Sequence, residues 1–113
     1  MTEAMDNQDQ REHLRVPGPF DGFRIGLLET PVRIFDLSEG GCFVTSLYEA
    51  SPGEALVLKI ELPHEGWIKV EGETLYNRPE FGFAIRFTTM SDHARDALSA
   101  IVHQRRRLTL KAG

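Results

Sequence analysis

From Phe20 to Phe87 the apolar positions recur mostly every second residue; beyond Ser91 they recur every third or fourth. The alternation is clearest over Ala55 to Leu62, with Leu56, Leu58, Ile60 and Leu62 on one side and Lys59 and Glu61 on the other. Trp67 to Tyr76 alternates less strictly, and Phe20 to Leu28, Val32 to Phe35, Cys42 to Thr45 and Phe81 to Phe87 are rich in β-branched and large apolar residues. Turn-forming clusters separate them: Ser51-Pro52-Gly53-Glu54, Pro63-His64-Glu65-Gly66 and Asn77-Arg78-Pro79-Glu80. Six short strands at about ten-residue spacing predict an all-β core, a small six-stranded antiparallel β-barrel.

Ala94, Ala97, Leu98, Ile101 and Val102 form one apolar stripe at helical spacing. Ser91 or Thr89 can cap the start of this helix, and Asp92 in its first turn suits the helix dipole. A C-terminal α-helix packed across the barrel follows. At the other end, Val16-Pro17-Gly18-Pro19 excludes a helix, because proline lacks an amide hydrogen and restricts the residue before it. Met1 to Gln10 carries acidic residues and no lysine or arginine, and reads as a disordered leader. The expected division is a leader over 1–10 and a domain over 11–107, followed by a tail over 108–113. Within the domain, a loop covers 11–19, the barrel 20–88 and the helix 91–107.

At 113 residues the chain is expected to form a single domain. A hydrophobic fraction of 41% and a charged fraction of 27% are those of an ordinary globular protein. Cys42, the single cysteine, lies in an apolar run and reads as a buried structural thiol. No stretch approaches a membrane span and the start is too polar for a signal peptide, so the cytoplasm is the expected location. A net charge of −4 argues against a dedicated nucleic-acid binder. Arg105, Arg106 and Arg107 form a basic cluster, read first as dipole complementation on a solvated surface, with partner docking or acidic lipid as the other reading. His13, His64, His93 and His103 are too scattered for a metal site, and no nucleophile–base or paired-carboxylate arrangement points to an enzyme.

Two segments carry the chemistry. Arg11-Glu12-His13-Leu14-Arg15 offers two guanidinium groups at spacing four. In a helix these like charges would repel, so the pair belongs to an extended or turning segment that an anion would compensate. Asp36-Leu37-Ser38-Glu39-Gly40-Gly41 is a turn of short oxygen-bearing side chains and glycine. Each is ordinary in isolation. In combination they suit a compact ligand bearing phosphates and hydrogen-bonding ring edges.

Together these segments resemble the RxxxR and (D/N)xSxxG signatures of the PilZ domain family, bacterial receptors for cyclic di-GMP. Arg11 and Arg15 match the first; Asp36, Ser38 and Gly41 match the second; Phe81 to Phe87 resembles the Gly-x-x-x-Arg-Phe strand of such domains. The resemblance implies a PilZ-like split barrel whose ligand-binding residues are Arg11, Arg15, Asp36, Ser38 and Gly41, with Arg78 a secondary candidate. It implies no cofactor beyond the ligand, and a receptor that changes conformation on binding and signals in trans to a separate effector of motility, biofilm or polysaccharide output. The arginine segment would act as a mobile clamp. Many relatives carry arginine where this chain has Gln10, and Glu12 follows Arg11, which leaves one ligand or a stacked pair open. Two alternatives stand beside this reading: a ligand-independent interaction module of the same fold, and an oligonucleotide-binding barrel using Trp67 or Tyr76 for stacking. Otherwise Trp67 and the phenylalanines are expected in the core or against the helix.

Overall fold

The computed structural model describes the backbone of residues 14–112 and the side chains of residues 14–103. The elements are β1 (Phe20–Ile25), β2 (Glu29–Phe35), β3 (Gly41–Thr45), β4 (Ala55–Leu62), β5 (Gly66–Arg78), β6 (Gly82–Met90) and α1 (Asp92–Ala112). The strands close into an antiparallel barrel in the order β1-β2-β3-β6-β5-β4, as the strand spacing predicts. Closure leaves no sheet edge with unpaired backbone groups. The leader, Arg11 and His13 lie outside the described residues.

Alternation along each strand fills the barrel. Val32, Ile34, Val44, Leu56, Leu58, Ile60, Leu62, Ile68, Val70, Phe83 and Ile85 are all buried, and Ile34, Val44, Ile60 and Phe83 have no exposed surface. Arg24 occupies an inward position near one end of β1. Its guanidinium lies over the Phe83 ring at 5.9 Å and pairs with Glu54 at 2.7 Å. The apolar run expected over Phe20 to Leu28 ends as a strand at Ile25, because the amide of Gly26 turns back to the Leu28 carbonyl. Leu27 and Leu28 therefore stand exposed at a hairpin tip.

Trp67 is a correction to the expectation. It is 43% exposed and stands on the outer face, where its ring meets Phe23 at 5.7 Å and lies beneath Lys59. Ile68 takes the inward phase of β5, which leaves its neighbour outside. Phe81 is likewise exposed in the turn before β6.

The helix buries Ala94, Ala97, Leu98, Ile101 and Val102, the five residues of the predicted stripe. Ser91 caps it by accepting the amide of Ala94 at 3.0 Å, so the cap is Ser91 and not Thr89. The backbone stays helical to Ala112, past the 91–107 span expected. Residues 104–112 contain neither proline nor glycine, so the sequence offers no stop before Gly113. Among the described residues no helix is long and apolar enough to cross a membrane.

Phe83 is the largest side chain with no exposed surface. Replacing it with alanine leaves a cavity in the barrel core and is expected to cost about 3–5 kcal/mol. Urea unfolding should show a lower midpoint at unchanged slope, whereas Leu27→Ala at the hairpin tip leaves the midpoint where it is.

Candidate functional site

Beyond β2 the chain reverses through Asp36 to Gly41. Asp36 takes a left-handed conformation, φ +52°, which aspartate tolerates better than most side chains. Leu37 turns inward and is completely buried. The Ser38 hydroxyl, also buried, accepts the amides of Gly40 at 3.1 Å and Gly41 at 3.2 Å, and the Ser38 amide donates to the Gly41 carbonyl at 2.9 Å. This serine holds the turn together from inside and faces its own loop.

Gly41 begins β3 opposite Arg86 of β6, and a Cβ there would overlap the carbonyl oxygen of Ile85. Gly82, at the other end of the same strand pair, has the same relation to the carbonyl of Val44. The two glycines let β3 and β6 approach at both ends of their ladder. Gly41 is thus required by its neighbouring strand before any ligand is considered.

The N-terminal segment is tied to this turn. Val16 and Leu37 exchange two backbone hydrogen bonds of 2.8 Å each, and the Asp36 amide donates to the Pro17 carbonyl at 3.2 Å. Arg15 consequently lies beside the turn, and its Nη1 donates to the Asp36 carbonyl oxygen at 3.3 Å. Both Arg15 and Asp36 are exposed, and the Asp36 carboxylate has no hydrogen bond to another described residue. From the far side Glu39 meets the helix, 3.3 Å from His103 Nε2.

A cleft of about 700 Å³ opens along the outer face of β3, β6 and β5 beside this turn. Its size falls within the roughly 300–1,000 Å³ range of small-molecule sites. Arg15, Asp36, Ser38 and Gly41 line one end; Phe43, Tyr76, Arg86 and Phe87 are among the residues lining the rest. Four of the five principal candidate residues therefore surround one cavity, and the fifth, Arg11, lies outside the described residues. Arg78 closes β5 opposite Gly82 and does not line the cleft.

Strand alternation alone would not have found Leu75 and Tyr76 together on this face. The β5–β6 register slips between Thr74 and Tyr76, leaving Leu75 as the extra residue of a bulge, and both side chains point outward. Arg86 is also on the outer face. It donates to Glu73 at 2.6 Å, an exposed pair that contributes at most about 1 kcal/mol. Its legible signal was the Arg-Phe of the β6 segment. Cys42 belongs to the cleft lining but is itself buried, and burial pushes its thiol well above the ordinary range.

The structure is thus a closed six-stranded barrel with a helix packed across it and an outer-face cleft beside a glycine turn. The PilZ domain family model matches residues 9–104, and the chain belongs to that family. Three solved structures share the fold. The Bacillus subtilis inhibitor of motility, MotI/DgrA, aligns at TM-score 0.71 and 23% identity, over 88% of this chain and 52% of that one. The PilZ domain of Escherichia coli YcgR with c-di-GMP aligns at TM-score 0.65 and 16% identity, over 91% and 97%. YcgR of Escherichia coli in complex with c-di-GMP aligns at TM-score 0.70 and 19% identity, over 91% and 49%. The chain thus spans about half the length of MotI/DgrA and of the longer YcgR structure. No curated protein sequence is matched.

Gly41→Ala should lower stability by roughly 1–3 kcal/mol in urea unfolding, since the added carbon meets backbone that cannot rotate away. Cys42 should react with a disulfide reagent at a rate set by unfolding, far more slowly in buffer than in denaturant.

Proposed function

We propose that this chain is a receptor for cyclic di-GMP that works by a conformational change and carries the signal to a separate effector protein. The observation that carries the reading is the convergence of Arg15 and Asp36 at one end of an outer-face cleft, through the Val16–Leu37 bridge. The family membership supports it, as do the solved YcgR structures, which hold c-di-GMP on the same fold.

The chemistry of the lining suits such a ligand. Cyclic di-GMP has two phosphodiester charges and two guanines. Arginine pairs in a bidentate manner with phosphate or with guanine O6 and N7, and it stacks on purine faces. In this reading Arg15 and Arg11 close over the ligand from the N-terminal segment. Asp36, exposed and with no described partner, accepts from guanine N1–H and N2–H₂. Ser38 and Gly41 contribute by shaping the turn that presents Asp36. The switch is the closing of Arg11 and Arg15 on the ligand at the cleft, which makes a new surface for the effector to read.

Isothermal titration calorimetry tests this with cyclic di-GMP, cyclic di-AMP and GTP. Binding should be selective for cyclic di-GMP. A charge-assisted contact contributes about 1.5–3 kcal/mol, so Arg15→Ala and Arg11→Ala should each weaken binding at least tenfold with the fold retained. Asp36→Asn keeps a side chain that tolerates the left-handed backbone and should reduce the preference for guanine over adenine. Unchanged affinity in either arginine variant would sink the assignment.

A further inference from the structure

Gly41, Arg86 and Glu73 form one cross-strand row on the outer face of β3, β6 and β5. Arg86 stands in the middle. On one side Glu73 holds its guanidinium at 2.6 Å; on the other, Gly41 has no side chain. Arg86 and the Asp36–Gly41 turn line the same cleft, so its guanidinium and the turn face one cavity. Arg86 lines the cleft and Glu73 does not, so the carboxylate draws the guanidinium toward the margin of the site. The Arg86 side chain is 58% exposed, and such a solvated pair is readily exchanged for a stronger anion.

Resting on the cyclic di-GMP reading above, we infer that Arg86 is a third ligand-binding arginine, masked by Glu73 in the free protein and released when the ligand occupies the cleft. A planar guanidinium held by a single contact to one carboxylate can turn to a phosphate or a guanine O6/N7 edge, which it engages in a bidentate manner. Glu73 opposes binding twice: it competes for Arg86, and its own charge repels the phosphodiesters. Affinity is then set by a competition between two anions for one fork, on top of the contacts made by the N-terminal arginines.

The test is calorimetric titration of cyclic di-GMP into the wild-type chain, Arg86→Ala, Glu73→Gln, the double variant and Arg15→Ala, with circular dichroism to check each fold. Arg86→Ala should weaken binding five- to tenfold. Glu73→Gln should tighten it two- to fivefold, and that gain should shrink in the Arg86→Ala background to the part that comes from direct repulsion. A purely structural ion pair would not tighten binding on its loss. An affinity within the measurement error of wild type for Arg86→Ala, or no tightening in Glu73→Gln, overturns the inference while Arg15→Ala still reports on the main reading. Wild-type chain that fails to bind, or Arg15→Ala that binds as wild type, overturns the main reading and the inference with it.

Discussion

The site depends on a single two-residue bridge. Val16 and Leu37 exchange both backbone hydrogen bonds while their side chains enter the core, and this joins a segment before the barrel to the turn between β2 and β3. Buried backbone groups must find partners, and here each supplies the other's. The apolar burial of Val16 and Leu37 fixes where the chain passes, so the residue on each flank, Arg15 and Asp36, is exposed at the mouth of the cleft. Without that bridge the two charged residues would have no reason to meet.

Within the motif turn the labour is divided by burial. Ser38 and Gly41 are buried and occupied by the protein's own backbone, one as acceptor for two amides and the other as a close approach to β6. Asp36 is exposed and its carboxylate is unengaged by described residues. The signature thus combines residues that build the turn with one that faces outward. Glu39 extends the same turn to the helix through His103, so the cleft margin and α1 share a short contact.

Much of the fold was legible because burial imposes its period on the sequence. In β4, Leu56 to Leu62 read as one inward row and pack as one. The helix stripe from Ala94 to Val102 behaves alike. The failures are also physical. Leu27 and Leu28 prolong an apolar run past the residue at which the hairpin turns, and hydropathy carries no information on that turn. Trp67 is large and apolar, yet its phase in β5 puts it outside. Size and hydrophobicity predict burial only when register agrees.

The candidate site was legible to a different depth. Its motif residues could be picked out as arginines at spacing four and an Asp-x-Ser-x-x-Gly turn, because those residue types carry recognisable chemistry. Tyr76 and Arg86 could not be assigned to the same cavity, since their placement follows from a bulge and from the β3–β6–β5 strand order. By itself the sequence determined the six strands, the helix and the chemical character of the two segments, all of which are local properties of spacing and side-chain type. Tertiary structure alone decided that Arg15 lies against the Asp36 turn and that Arg86 shares their cleft with Glu73 behind it. Those are contacts between residues distant in sequence, fixed by a backbone bridge and a strand register that no local pattern encodes.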